Sequence, residues 1–230
     1  MIAEGSSAPS GALVWFRRDL RDYDHAALHA ALEAHHAVHC AFVFDTEILD
    51  ALGSNVDRRV TFIWESVREL KAALAARGGG LWVLHGRARE EIPRLARSLG
   101  VVAVYANRDY EPLAIARDAE VAGRLRDAGI DFRTRKDQVI FELSEVRTRS
   151  GDAFSVFTPY KKAWLAKLAP RHIAPLDIGR LAARLAPATA GPLPAHAALR
   201  FERAEPPLPA GMSGGARLWK AFRKRLAGYA

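Results

Sequence analysis

The sequence predicts an α/β protein built on an open, doubly wound, five-stranded parallel sheet. Two observations carry that prediction. Short runs that are apolar at every position alternate with longer segments whose apolar residues recur at helical spacing. Strands apolar throughout, each followed by a helix, belong to a parallel sheet covered on both faces, and right-handed crossovers then make it open and doubly wound.

Taken in order, Ala12–Phe16 (ALVWF) is the first strand, followed by polar RRDLRDYD and a helix beginning near Asp24. Residues 38–44 (VHCAFVF) form the second strand. Residues 56–77 carry Val60, Ile63, Trp64, Val67, Leu70 and Leu74 at helical spacing and stop at Gly78-Gly79-Gly80. Residues 81–84 are the third strand, 89–99 a helix closed by Gly100, and 101–105 the fourth strand. A helix over 112–128 ends before Gly129, and 130–133 is the fifth strand. Beyond Lys136 the alternation fails. Thr158-Pro159 opens a helix (TPYKKAWLAKL), with Thr at the cap and Pro in the first turn. Residues 170–215, rich in Pro, Ala and Gly, read as a linker, and 214–230 is amphipathic, with Leu218, Phe222 and Leu226 spaced by four. The expected organisation is a disordered leader (1–11), an α/β domain (12–137), an extension with a helix (138–170), a linker (171–213) and the first helix of a domain that is not present (214–230).

Half of the 230 residues are hydrophobic and 26% are charged, an ordinary globular composition. No apolar run reaches the roughly 18 residues that span a bilayer. Cys40 is the single cysteine, which leaves no disulfide framework and no cysteine-based zinc cluster. A cytoplasmic monomer is expected, without a metal site. The net charge of +8 is uneven: residues 1–150 hold 21 basic against 22 acidic side chains, and the rest hold 13 against 4. That asymmetry fits either a polyanionic partner or a solvated basic tail.

Ligands of such sheets bind at the carboxyl ends of the strands, near the reversal of strand order. The loops there are 17–24, 45–55, 85–87 and 107–111. Arg17-Arg18-Asp19-Leu20-Arg21 places three guanidiniums beside one strand end, and Asn107-Arg108-Asp109-Tyr110-Glu111 places carboxylates, an amide and an aromatic beside another. Neither carries a G-x-G-x-x-G or G-K-[ST] phosphate cradle. On spacing alone, these charges could equally pair with one another and cap helices.

Residues 14–28 (VWFRRDLRDYDHAAL) resemble the opening signature of DNA photolyases and cryptochromes. Residues 107–118 (NRDYEPLAIARD) resemble the family's N-x-D-x-E-P…R-D segment, and 156–165 (VFTPYKKAWL) its V-[FY]-[TG]-P stretch. The resemblance implies the amino-terminal half of such a protein, which holds a light-harvesting antenna chromophore. The catalytic FAD and the repair of pyrimidine-dimer DNA belong to a carboxy-terminal helical domain, so no catalytic residue is expected in this chain, and the parent is implied to be a deoxyribodipyrimidine photo-lyase. A cryptochrome photosensory domain and a stand-alone chromophore- or nucleotide-binding module are the alternatives. By analogy with members that bury a flavin-type antenna (8-hydroxy-deazaflavin or FMN), Asp19, Phe44, Asp45, Arg59, Asp109 and Glu111 would line the pocket. Where folate-binding members grip the pterin of methenyltetrahydrofolate with an Asn-Glu pair, this chain has Leu113-Ala114, which favours a flavin-type antenna. Lys161 and Lys162 would reach DNA or the helical domain.

Overall fold

The computed structural model describes residues 11–142, 144–189 and 191–229, so the expected leader falls, but for Gly11, outside the described residues. Five parallel strands, β1 (Ala12–Phe16), β2 (Val38–Asp45), β3 (Leu81–Gly86), β4 (Ala103–Asn107) and β5 (Asp131–Arg135), lie in the order β3-β2-β1-β4-β5. β1 is central and wholly buried, with Val14 in register with Cys40 on one side and Tyr105 on the other. Seven helices are described: α1 (Ala26–Ala34), α2 (Thr46–Leu49), α3 (Arg58–Ala76), α4 (Ala88–Ser98), α5 (Pro112–Arg126), α6 (Phe157–Lys167) and α7 (Gly211–Arg223).

The period of two along each strand divides the core. Val14, Phe16, Cys40, Phe42 and Phe44 face α1 and α3, where Leu28, Leu32, Val67, Leu70 and Leu74 meet them. Leu13, Trp15, Ala41 and Val43 face α4 and α5, against Ile92, Leu95, Val121 and Leu125. Each fully buried side chain of this size contributes about 1.5–3 kcal/mol. β5 alternates differently: as an edge strand it carries Asp131, Arg133 and Arg135, charges that discourage pairing with another chain.

Local chemistry adjusts the expected ends. α1 starts two residues after Asp24, because His25 is the capping residue and Asp24 sits at φ 44. α2, unforeseen within the second loop, forms because Asp45 caps it through the Glu47 amide. α3 starts at the Asp57 cap and ends where Gly78 adopts φ 84, a left-handed turn that favours glycine.

Residues 171–189 and 191–210, most of the stretch read as a linker (171–213), are threaded over the outer side of α1 and α3. The Leu176 amide donates to Asp24 (3.0 Å), and Arg184 donates to the Leu32 carbonyl (2.7 Å) at the far end of α1. The Ala186 amide then donates to the Val38 carbonyl (2.8 Å), just before Ala188 passes over Gly80. The return leg follows α3: Trp64 Nε1 donates to the Pro194 carbonyl (2.8 Å), and the Glu202 amide to the Asn55 carbonyl (2.8 Å). Ile178, Leu185, Leu199 and Phe201 are buried in the α1–α3 side of the core along this path. α7 turns back along α3, its start fixed by Gly211 on Ser66 (3.0 Å) and Ser213 on Glu69 (2.8 Å). α6 is tethered through buried Phe141, whose ring meets Trp164 (5.4 Å) and His172 (5.0 Å) edge-on.

Candidate functional site

The chain lays β2 and β3 on one side of β1, then β4 and β5 on the other, so strand order reverses between β1 and β4. The two polar loops singled out in the sequence, Arg17–Arg21 and Asn107–Glu111, leave these two adjacent strands and meet there.

Their side chains interlock. Arg17 donates to both carboxylate oxygens of Asp118 (2.6 Å each) and to the Asn107 carbonyl. Arg117 donates to Asp118 (3.0 Å), and its guanidinium and that of Arg17 each lie 4.8 Å from the ring of buried Trp15. Arg18 reaches across the crevice to Glu111 (2.7 Å) and Asp109 (3.4 Å). Arg108 and the Tyr110 hydroxyl both donate to Glu142, which with burial pushes the Tyr110 phenol up to about 12.

Asp19 is the buried centre of this arrangement. It accepts from the Arg17 amide (2.9 Å), from Asn107 Nδ2 (2.6 Å) and from His25 Nε2 (2.9 Å). His25 Nδ1 accepts the Leu28 amide (3.0 Å) at the start of α1, so the ring proton sits on Nε2 and points at Asp19. Burial opposes ionisation of Asp19, but His25 and the Arg17 amide outweigh it and hold the carboxyl well below the ordinary range. Asn107 completes the link by accepting the Ala27 amide on its Oδ1 (2.8 Å). Asp137, from beyond β5, accepts the Ala26 amide (3.1 Å) and a two-oxygen contact from Arg21 (2.9 and 2.8 Å).

Of the residues expected to line a pocket, Asp19, Asp109 and Glu111 are brought together here. Asp45 lies on the same edge, where it accepts the Glu47 and Ala88 amides (3.2 and 3.3 Å). Burial raises its carboxyl despite those bonds. Phe44 is not at the crevice: it is buried on the α3 side, edge-on to Phe42. Arg59 is also apart, a 73% exposed side chain paired with Asp57 at the start of α3. Leu113 stands 87% exposed on the first turn of α5, while Ala114 is buried. Lys161 and Lys162 are exposed on α6. A groove of about 1020 Å³ lies between α3 and residues 203–217. Sequence reasoning passed over His25, Arg117 and Asp137. The first two stand inside the motifs over residues 14–28 and 107–118; Asp137 follows the fifth strand with no pattern around it.

The family model described as DNA photolyase matches residues 12–178. An uncharacterized 31.6 kDa protein from Synechococcus sp. strain PCC 6716 is 36% identical over 77% of this chain and 64% of its own length. A deoxyribodipyrimidine photo-lyase of Halobacterium salinarum is 32% identical over 92% of this chain and 46% of its own. A cryptochrome DASH of Natronomonas pharaonis is 36% identical over 66% of this chain and 32% of its own. Among solved structures, a class III photolyase from Agrobacterium tumefaciens superposes with TM-score 0.77 and 25% identity, over 96% of this chain and 46% of that one. A photolyase from Sulfolobus tokodaii, described with two FAD molecules and a novel light-harvesting cofactor, gives TM-score 0.65 and 25% identity over 87% of this chain and 44% of its own. This chain therefore spans between about a quarter and two thirds of the length of the curated relatives it matches.

Proposed function

The chain belongs to the DNA photolyase family, and from that premise we propose that it is the light-collecting part of a photolyase, holding an antenna chromophore at the crevice between β1 and β4. The observation that carries the reading is the meeting of two family-like motifs at the reversal of strand order, with Arg18 to Glu111 at 2.7 Å and Asn107 to Asp19 at 2.6 Å. This is where open α/β sheets take their ligands.

The residues present suit a flavin-type ring system better than a folate. Asp19, Asp45, Asp109 and Glu111 offer acceptors to the N–H and hydroxyl edges of a flavin or deazaflavin. Leu113 and Ala114 have no polar side-chain atom to grip a pterin. The chromophore supplies the absorption and the transfer of excitation energy. The protein's part is to orient it and keep water away, by a network in which every guanidinium of the first loop is already fixed.

In this reading the whole protein works in the cytoplasm as a monomer, repairing cyclobutane pyrimidine dimers in DNA with light and reduced FAD. The FAD and the extruded lesion belong to a helical domain that α7 would begin, with Lys161 and Lys162 facing that domain or the DNA. A cryptochrome that senses light without repair is the second reading, favoured by the similarity to cryptochrome DASH.

Absorption spectra decide the antenna role. Purified protein, as isolated or after incubation with riboflavin, FMN or methenyl-folate, is expected to retain a flavin-type band. A protein that stays colourless after all three, and after 8-hydroxy-deazaflavin as well, would end the proposal. Light-dependent repair by the full-length product separates photolyase from cryptochrome.

A further inference from the structure

Helices α1 to α4 each begin at or beside the carboxyl edge of the sheet, and the chain closes all four with its own side chains. The first three amides of α1 go to Asp137, Asn107 and His25. Asp45 takes an amide from both α2 and α4, and Asp57 takes the Arg59 amide of α3. At α5 the residue before the helix is Glu111 itself, tied to Arg18.

In dinucleotide-binding sheets, the start of the helix after the first strand is the seat of a phosphate, because unpaired amides and the helix dipole favour an anion there. In this chain a carboxylate holds that seat. The Ala26 amide and Arg21 Nη2, which lies within hydrogen-bond reach of both oxygens, converge on Asp137, and a backbone amide beside a guanidinium is a pairing that also suits phosphate. The other nearby guanidiniums are committed: Arg17 and Arg117 to Asp118, and Arg18 to Asp109 and Glu111. A phosphate brought to the first turn of α1 would meet the Asp137 carboxylate on the Ala26 amide, with Arg21 already spent on that carboxylate.

We propose that Asp137 is a specificity-determining residue: it occupies the anion position at the reversal of strand order, so the site takes a chromophore with an uncharged tail rather than a phosphate-terminated one. The statement rests on the chromophore reading above for the identity of the ligand, but the anion position can be tested without any chromophore.

Riboflavin and FMN, which share a ring and differ in the phosphate, are the first probes. The wild-type protein is expected to bind riboflavin about tenfold more tightly than FMN, and Asp137→Asn to narrow that preference. FMN bound as tightly as riboflavin by the wild type, or a preference unmoved by Asp137→Asn, would overturn the assignment. The second probe is millimolar inorganic phosphate, with chloride at matched ionic strength as the reference. Phosphate should raise the melting temperature of Asp137→Ala and leave the wild type unchanged. Equal stabilisation of both, or of neither, counts against the proposal. Asp137→Asn keeps an acceptor for Ala26 and serves in the phosphate assay if the alanine variant does not fold. A protein that takes neither flavin defeats the chromophore reading, while the phosphate assay still judges Asp137.

Discussion

Replacing Asp19 by Asn changes one atom of a buried group, and the structure leaves the new amide nowhere to point. Asp19 faces three donors: the Arg17 amide on one oxygen, His25 Nε2 and Asn107 Nδ2 on the other. An amide presents one acceptor and one donor group, so one orientation sets its NH2 against His25 and Asn107, the other against the Arg17 amide. His25 cannot escape by moving its proton to Nδ1, because that nitrogen accepts the Leu28 amide. At least one buried donor loses its partner, at about 1–3 kcal/mol, and the charge-assisted bond that is lost adds about 1 kcal/mol more. The expected destabilisation of about 2–4 kcal/mol lowers the melting temperature by roughly 2–4 °C per kcal/mol in a chain of this size. Urea unfolding at pH 7 measures it. The pH dependence supplies a second readout. The folded carboxyl titrates below its unfolded value, so its stabilisation is fully present above the ordinary aspartate range near 4 and is lost as pH falls toward the lower folded value. Wild-type stability should therefore fall below about pH 4 more steeply than that of Asp19→Asn. A variant within about 0.5 kcal/mol of the wild type at pH 7, or one with the same acid slope, would refute the reasoning.

Neighbouring glycines should respond differently. A Cβ at Gly80 would lie 2.4 Å from the Ala188 amide nitrogen, so Gly80→Ala must push the 185–188 segment off β2 and is expected to cost about 1–3 kcal/mol, with faster hydrogen exchange at Ala186. Gly78→Ala meets no atom within 4 Å but keeps φ 84, so it should cost only about 1 kcal/mol and leave Ala186 protected. Cys40 is wholly buried and its thiol is pushed up to about 12 by burial, so iodoacetamide at pH 8 should label it only in urea-unfolded protein; labelling of the folded chain would show the α1–α3 side of the core to be open. If the proposed function holds, replacing Lys161 and Lys162 by Ala is expected to lessen the salt dependence of DNA binding by about one ion per lysine, and an unchanged slope would place both away from the phosphates.

Much of the sheet was legible because its strands are apolar on both faces and its helices end at glycine signals such as Gly78 and Gly129. Both polar loops were legible too, since seven charges in Arg17–Arg21 and Asn107–Glu111 have no reason to follow buried strands unless they meet one another or a ligand. Their partners were less so. Asp137 closes α1 from 111 residues away, and no local pattern announces a cap that distant. Phe44 enters the pocket set only through the family resemblance, and the period of two along β2 turns it toward α3. Residues 170–210 offered no periodicity at all: Ile178, Leu185, Leu199 and Phe201 are buried one at a time between prolines and alanines, and only tertiary packing selects them.

That threaded segment has a consequence for how the chain is made and cut. The outer side of α1 and α3 is completed by residues synthesised after every strand, so a nascent chain leaves the places of Ile178, Leu185, Leu199 and Phe201 unfilled until Phe201 has left the ribosome, a period when a chaperone has most to hold. The same holds at the bench. A fragment ended after β5, where the last strand stops, would keep its crevice residues but leave uncovered the apolar surface that Leu185, Leu199 and Phe201 shield, and would tend to self-associate. The smallest unit worth excising runs through residue 201.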